Sequence, residues 1–208
     1  MEYKDFTILV DMDDTIENLC EEWCNLLNRK YGTSVTYLDV TEWDMSKFFP
    51  TLTKEQVFEP LHNEEIWDLL KPKEGAVEYL KKLIDDGFKV YLCTSTDYRN
   101  VKVKFEKVVQ KYFPYISWKQ VIIASDKQMI NGDFMVDDGI HNLEGGRYRK
   151  ILMTAPHNKN YNAEENGMFR ANNWEQIYSY IKSVAFNEKQ LSLCYGSWQD
   201  DKKRGEIK

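Results

Sequence analysis

Short apolar runs alternate with longer amphipathic segments along most of this chain. The first apolar run, residues 6–10, has the length of a buried strand and is rich in β-branched side chains. Apolar residues then recur at helical spacing from Ile16 to Tyr31, and Gly32 is a typical helix stop. The pattern therefore predicts a buried strand followed by an amphipathic helix.

The same alternation resumes after Pro72. Apolar runs predict strands, and helical spacing predicts helices, over the following ranges: strands at 88–93, 121–124, 134–136 and 150–154, and helices at 75–86, 100–112 and 174–184. Strands that alternate with helices are typical of a mostly parallel sheet covered by helices on both faces. We therefore expect a three-layer α/β core.

Two regions do not follow this alternation. Residues 33–71 are dense in aromatic residues, are interrupted by Pro50 and Pro60, and predict only short helices at 54–59 and 63–70. This composition indicates a small helical insert after the first strand–helix unit. From Asn187 the chain is polar and ends in a basic run, so we expect a loose, solvated tail there rather than a binding segment.

Composition narrows the possible classes of protein. Of the 208 residues, 42% are hydrophobic, which is enough for a packed core, and the net charge of −6 argues against binding of a nucleic-acid polymer. Charges at Glu2, Lys4 and Asp5 are unlike a signal peptide, and no apolar run approaches the about 20 residues of a membrane span. The four cysteines form no Cys-x-x-Cys pair. Reduced thiols, no membrane partner and a cytoplasmic location are therefore expected.

Chemically active side chains follow four of the predicted strands. They are, in chain order, Asp11 and Asp13, Thr94, Lys127, and Asp137 and Asp138. A parallel sheet brings the carboxyl ends of its strands to one edge, which is where ligands bind in open α/β sheets. We therefore expect these side chains to converge on one site.

The set supports phosphoryl transfer assisted by a metal. Asp11 and Asp138 come from different strands and can hold Mg²⁺, which prefers oxygen ligands. Asp11 can attack phosphorus, and Asp13 projects to the same side and can carry a proton to the leaving oxygen. The Thr94 hydroxyl can donate to a phosphoryl oxygen, and Lys127 offers a positive charge to the transition state.

Several of these assignments have competitors. Ser95 and Thr96 stand beside Thr94, and the first hydroxyl after the strand is the preferred one, with Ser95 as a further substrate-binding candidate. Lys119 precedes its strand and so lies at the wrong edge to replace Lys127. Asp137 is expected to support a neighbouring group rather than to bind the metal. No catalytic histidine is expected, because none of the three histidines follows a strand beside a carboxylate.

The run Asp11-Met12-Asp13-Asp14-Thr15, together with Thr94, Lys127 and Asp137-Asp138, resembles the four motifs of the haloacid dehalogenase superfamily of aspartate-nucleophile phosphatases. The resemblance spans roughly residues 6–155 and implies a Rossmann-like core. It also implies Asp11 as nucleophile, Asp13 as acid and base, and Mg²⁺ held by Asp11, the main-chain carbonyl of Asp13, and Asp138. Asp14 departs from the motif, where glycine is usual, but aspartate tolerates left-handed backbone better than most residues.

A narrower resemblance concerns the substrate. The run from Ile66 to Ala76 is similar to the end of the cap in 5'(3')-deoxyribonucleotidases, where two aromatic residues line the base pocket. Trp67 matches one of these positions and Ile66 replaces the other, while Leu19 stands where that family has a pocket phenylalanine. Leu19 and Trp67 are thus candidate substrate-binding residues. Trp67 is equally compatible with a packed cap core.

Together these features predict a Mg²⁺-dependent phosphomonoesterase that forms an aspartyl phosphate and acts on nucleoside monophosphates. We expect a catalytic core over residues 1–15 and 73–186, a cap over 16–72 and a tail over 187–208. Alternatives are a phosphatase for another small phosphomonoester such as a sugar phosphate, a haloacid dehalogenase, or a non-catalytic metal-binding relative. A homodimer is compatible with the sequence.

Overall fold

A six-stranded parallel sheet forms the centre of the computed structural model, which describes residues 3–205 and the side chains up to residue 191. The strands are β1 (Thr7–Val10), β2 (Lys89–Thr94), β3 (Val121–Ile123), β4 (Phe134–Asp137), β5 (Arg149–Met153) and β6 (Met168–Ala171). Their order across the sheet is β3-β2-β1-β4-β5-β6, and every pair is parallel. The predicted α/β fold with a mostly parallel sheet is therefore confirmed.

The helices cover both faces of this sheet and fill the insert. They are α1 (Leu19–Tyr31), α2 (Lys54–Phe58), α3 (Glu64–Leu69), α4 (Ala76–Asp85), α5 (Val101–Lys104), α6 (Gln110–Tyr112), α7 (Ile140–Leu143) and α8 (Trp174–Gly205). A π-helical turn over Phe105–Val109 joins α5 to α6. Short 3-10 turns at Tyr37–Asp39, Met45–Phe48 and Glu59–His62 complete the insert between β1 and β2.

Burial on both faces explains why β1 reads as a continuous apolar run. Ile8 and Val10 point into one hydrophobic cluster, whereas Leu9 points into the cluster on the opposite face. All three side chains are buried. A strand covered on both faces does not alternate between apolar and polar residues, which is the usual pattern in parallel sheets.

Two features at the C-terminal end differ from the sequence prediction. Strand β6 was not predicted, and α8 continues to Gly205 instead of ending at Val184. The segment from Asn187, for which we expected a loose tail, has a helical backbone up to residue 205, and residues 206–208 lie outside the described part of the chain. Its assignment as a separate tail stays a prediction. The segment after Val184 has no proline and is rich in good helix formers, and Glu188 pairs with Arg149 of β5.

The insert packs onto the same core as the sheet. Phe49, Val57 and Trp67 belong to the hydrophobic cluster that contains Ile8 and Val10. The two chain crossings between insert and core are hydrogen-bonded to each other, since Lys73 N donates to Ile16 O at 2.9 Å and Lys71 N donates to the Asn18 side chain at 2.8 Å. The division into a core and a cap at residues 16 and 72 stays a prediction.

No helix in the described part of the chain has the length and apolarity needed to cross a membrane. Cys20, Cys24 and Cys93 are free thiols, and the side chain of Cys194 lies outside the described residues. The cytoplasmic location stays a prediction.

Candidate active site

The carboxyl ends of β1 and β4 bring three aspartates together. Val10 of β1 lies opposite Val136 of β4, and Asp11 N donates to Val136 O at 2.9 Å. One carboxylate oxygen from each of Asp11, Asp137 and Asp138 lies within 4.8 Å of the others, and all three residues are buried. The sheet thus produces the predicted convergence of the first and last motifs.

Lys127 joins two of these aspartates. It lies on the 3-10 turn after β3, is buried, and its Nζ donates to Asp11 and, at 2.7 Å, to Asp137. Burial alone would discharge the ammonium, but the contacts with Asp11 and Asp137 outweigh it and raise the pKa of Lys127 above its ordinary value. Lys127 is therefore a fixed positive charge beside Asp11.

Both carboxylate oxygens of Asp137 already accept hydrogen bonds. Its Oδ2 accepts from Lys127, and its Oδ1 accepts from Gly139 N at 2.8 Å and from Asn142 Nδ2 at 3.0 Å. A Cβ on Gly139 would lie 3.0 Å from that same Oδ1, so a larger residue would disturb this arrangement. The geometry matches the predicted supporting role of Asp137.

The donor set fits a divalent cation. Asp11, Asp137 and Asp138 are three buried carboxylates, and Lys127 is the ammonium in contact with this group. When all three are ionised, the cluster with Lys127 carries a net charge of two negative units. Burial, together with Asp11 and Asp137, raises the pKa of Asp138 well above its ordinary value, and burial raises the pKa of Asp11 to about 7. A hard cation with oxygen ligands would remove this electrostatic penalty. Asp11, Asp137 and Asp138 form the group that could hold such an ion, and Asp11 and Asp138 stay the predicted carboxylate ligands.

A hydrogen-bond chain from β6 holds the backbone of Asp138. The Asp138 carbonyl accepts from Asn158 Nδ2 at 2.9 Å and lies 3.1 Å from His157 Nε2. Arg170 of β6 donates to Asn158 Oδ1 and O, at 3.0 Å each, and to Tyr161 O at 2.7 Å. The strand that sequence analysis missed therefore supports the backbone of Asp138 through Asn158.

Asp13 lies on the same side as Asp11 and is held by a lysine that the sequence analysis did not select. Lys104 Nζ donates to Asp13 Oδ2 at 2.6 Å and to Thr94 Oγ1 at 3.0 Å. Burial opposes ionisation of Asp13, but the neighbouring Lys104 lowers its pKa below the ordinary value. The spacing was a signal, because Lys104 lies midway between Asn100 and Val108, and the three residues, four apart, are all buried.

A second acid lies against Asp13. Glu17 is fully buried, and neither of its carboxyl oxygens accepts a hydrogen bond from a residue that the structure describes. Burial and the neighbouring Asp13 raise the pKa of Glu17 well above its ordinary value, which favours the neutral form of its carboxyl group. Sequence analysis missed Glu17, which it placed on the first predicted helix; in the structure Glu17 precedes α1 and bridges to Asp13.

A cavity of about 610 Å³ opens above the strand ends. Its floor contains Asp11, Asp13, Asp138 and Lys127, and its wall includes Ser95 and residues of the insert. Ser95 Oγ lies 3.4 Å from Ser125 Oγ, which also lines the cavity.

Thr94 does not line the main cavity. It is buried at the end of β2, bonds Lys104, and lines a separate cavity of about 340 Å³. Among the hydroxyls after β2, the one that lines the main cavity is therefore that of Ser95.

Of the two residues predicted to contact the substrate from the insert, one lines the main cavity and the other does not. Leu19 lines the main cavity as expected, but Trp67 does not; it is 2% exposed, and its ring lies 5.3 Å from Lys104 Nζ. The structure therefore favours the packed-core alternative for Trp67. Trp43, which is 60% exposed, lines the cavity and contacts His141 and His157 edge-on, with ring centroids 4.4 and 5.2 Å away.

Asp14 adopts a left-handed backbone conformation at the position where the motif usually has glycine. Its φ is +56°, the one positive value at a non-glycine position among the described residues. Its carboxylate accepts from Cys20 N at 3.1 Å in the first turn of α1, and burial raises its pKa to about 6. The predicted turn role of Asp14 agrees with this backbone.

Comparison with known proteins identifies the family. Residues 5–188 match the family model described as 5' nucleotidase, deoxy (pyrimidine), cytosolic type C protein. A 5'(3')-deoxyribonucleotidase of Bacillus subtilis is 34% identical over 172 residues, covering 82% of this chain and 95% of that protein. A 5'(3')-deoxyribonucleotidase of Clostridium acetobutylicum is 27% identical over 178 residues, covering 86% and 96%.

Solved structures agree on the fold. A haloacid dehalogenase-like protein of unknown function from Agrobacterium tumefaciens superposes with a TM-score of 0.59 at 14% identity, covering 86% of this chain and 98% of that one. A haloacid dehalogenase family hydrolase from Deinococcus radiodurans, solved with phosphate and sodium bound, gives 0.58 at 10% identity, covering 85% and 95%. The chain is thus a phosphomonoester hydrolase with the haloacid dehalogenase fold, and it belongs to the 5' nucleotidase, deoxy (pyrimidine), cytosolic type C family.

Proposed function

We propose that this protein is a Mg²⁺-dependent 5'(3')-deoxyribonucleotidase that hydrolyses nucleoside monophosphates through an aspartyl phosphate. The observation that carries the proposal is the floor of the main cavity, where Asp11 is buried, held by Lys127 and adjacent to Asp13 and Asp138. The names of the relatives in Bacillus subtilis and Clostridium acetobutylicum support the choice of substrate class.

Binding of the phosphate group uses positive charge and hydroxyl donors at the floor. Lys127 supplies the charge, and Ser95 supplies a hydroxyl that lines the cavity. Asp11, Asp138 and the main-chain carbonyl of Asp13 would hold Mg²⁺, which when bound neutralises the acids and keeps Asp11 ionised beside an anionic substrate. Thr94, through Lys104, acts on Asp13 rather than on the phosphate.

Asp11 and Asp13 divide the chemistry. A carboxylate oxygen of Asp11 attacks phosphorus, the bond from phosphorus to the sugar oxygen breaks, and Asp13 gives a proton to that oxygen. A water molecule then attacks phosphorus while Asp13 takes its proton. The bond from Asp11 to phosphorus breaks, which releases inorganic phosphate and restores both residues.

The insert recognises the rest of the substrate. We assign residues 16–72 as the cap, because Leu19, Trp43 and Phe58 from this segment form the wall opposite the catalytic floor. An exposed indole offers a face on which a nucleobase can stack, which is worth roughly 1–3 kcal/mol per base. A sugar phosphate without a base would leave this wall unused.

A phosphate-release assay tests the proposal. Purified protein with Mg²⁺ is given 3'- and 5'-deoxynucleoside monophosphates, ribonucleoside monophosphates and sugar phosphates under identical conditions. We expect the highest kcat/KM for deoxynucleoside monophosphates. A higher value for sugar phosphates would refute the substrate assignment, and release from none of the esters would refute the catalytic role.

Metal binding has its own readout. A cation that binds only the folded protein at about 100 times its dissociation constant stabilises it by roughly 2.7 kcal/mol, so Mg²⁺ should raise Tm. Asp138→Asn should remove this shift, whereas Asp126→Asn, which changes an acid outside the buried cluster, should keep it. An equal shift in both variants would contradict the assigned site.

A further inference from the structure

Lys104 is a charged side chain buried beside the active site. It is only 2% exposed, and it lies at the end of α5, on a different element from every group of the catalytic floor. Its Nζ makes two hydrogen bonds, to Asp13 Oδ2 and to Thr94 Oγ1. A buried ammonium is costly unless it is paired, so this placement requires both partners.

The surroundings of Lys104 fix its position. The indole of Trp67 lies beneath the ammonium, with 5.3 Å from Nζ to the ring centroid, and is itself buried. The helix changes to a π-helical turn immediately after Lys104, at Phe105–Val109. Such turns are rare and occur frequently at functional sites.

The carboxylate of Asp13 depends on this contact. Asp13 Oδ1 is buried and accepts no hydrogen bond from any residue between 3 and 191, and Glu17 lies alongside it. Oδ2 is the oxygen that Lys104 holds, on a side chain that remains 28% exposed at the cavity. Lys104 is therefore the cation that holds Oδ2, and the carboxyl group of Glu17 is the other side chain in contact with Asp13.

We propose that Lys104 is a positioning residue for proton transfer, which holds the carboxyl group of Asp13 at the edge of the main cavity, facing the leaving oxygen. Lys104 does not touch the substrate itself. It acts through Asp13, with Thr94 as its second anchor. The inference rests on the proposed phosphatase chemistry and adds to it a residue outside the expected motifs.

This role has a kinetic consequence that a purely structural role lacks. A sugar alkoxide is a poor leaving group and needs a proton as its bond to phosphorus breaks, whereas p-nitrophenolate leaves without one. The value of kcat/KM reports the steps up to loss of the leaving group for both esters. Misplacing Asp13 should therefore reduce kcat/KM for a nucleotide far more than for p-nitrophenyl phosphate.

The test compares Lys104→Met with the wild type on a deoxynucleoside 5'-monophosphate and on p-nitrophenyl phosphate. We expect kcat/KM to fall about 100-fold for the nucleotide and less than about 10-fold for the aryl ester, in keeping with the usual size of acid catalysis. Lys102→Met is the matched control, because Lys102 lies on the same helix with its side chain 84% exposed. It should leave both values unchanged.

The outcomes separate this inference from the proposed function. Equal losses on the two esters, or no loss on either, overturn the role of Lys104 while the phosphatase assignment stands. A wild-type protein that hydrolyses neither ester overturns both. If Lys104→Met does not fold, as shown by thermal unfolding, Thr94→Val takes its place; it keeps the Lys104–Asp13 pair and should show a smaller loss with the same preference.

Discussion

The floor of the main cavity and the wall formed by the insert differ in burial and in hydrogen bonding. The floor, at the ends of β1 and β4, consists of buried charges, and Lys127 donates hydrogen bonds to both Asp11 and Asp137. The opposite wall comes from the insert, where Trp43 is largely exposed and the nearby ion pair of Lys54 and Asp44 spans 3.9 Å between exposed side chains.

We infer from this difference that the floor carries out the chemistry and that the insert wall recognises the substrate. Groups that are buried and mutually bonded keep one arrangement, which is what transition-state stabilisation requires. Exposed side chains on short turns can be exchanged at little cost in stability, because exposed ion pairs contribute little. Substitutions in the floor should therefore change kcat, and loss of its shared cation Lys127 should also destabilise the fold, whereas substitutions in the wall should change KM and substrate preference.

The largest effect is expected for Asp11→Asn. The substitution keeps the shape of the side chain but removes the nucleophile, so kcat should fall by about 10⁴-fold or more while Tm changes little. Steady-state kinetics and thermal unfolding measure the two quantities. Near wild-type turnover would show that Asp11 is not the attacking group.

Lys127→Met should damage both function and folding. It leaves Asp11 and Asp137 adjacent without their shared cation, and breaking a buried ion pair in this way costs about 3–5 kcal/mol. Urea denaturation measures the free energy of unfolding. Lys119→Met, at an exposed lysine before β3, should stay within about 0.5 kcal/mol of wild type. Equal stability of the two variants would mean that the floor is not held by Lys127.

Trp43→Ala should have a smaller and more selective effect. Loss of one stacking partner worth roughly 1–3 kcal/mol should raise KM for nucleotides about 10-fold with kcat nearly unchanged. Trp118→Ala removes an exposed tryptophan outside the main cavity and should leave KM unchanged. A rise in KM that is the same for a phosphoester without a base would rule out stacking.

The smallest change is expected at Asp14, where the floor meets the insert. Asp14→Ala loses the bond to Cys20 N and keeps an unfavourable positive φ, so it should cost about 1–2 kcal/mol of stability. Asp14→Gly loses the same bond but relieves the backbone, and should lie closer to wild type. If Gly is the more destabilising of the two, the side-chain bond outweighs the backbone conformation.

Local patterns were sufficient for the catalytic floor. Asp11 and Asp138 follow apolar strands directly, and parallel strands must bring their carboxyl ends to one edge, so the pairing needs no knowledge of side-chain packing. The same reasoning placed Lys127 correctly beside Asp11. The predicted roles of these residues await the kinetics described above.

Other features depend on contacts that a single sequence does not display. Strand β6 is only four residues long, and Arg170 interrupts its three apolar residues, so the apolar run is too short to predict a strand. The charge of Arg170 is satisfied by contacts with Asn158 and with the Tyr161 carbonyl. The sequence around Lys104 does not distinguish it from an exposed lysine, and its burial follows from the packing of its helix. Trp67 and Trp43 are both tryptophans of the aromatic-rich insert. Only the tertiary fold decides which of them lines the cavity.

The chain of bonds from Arg170 through Asn158 to Asp138 also bears on how the protein is made. Asp11 is synthesised early, but the Asp138 carbonyl contacts residues 157 and 158, and Asn158 is held in turn by Arg170. We therefore expect a chain that ends before residue 170 to carry Asp11, Asp13, Lys127 and Asp138 without the bonds that hold Asn158 against Asp138.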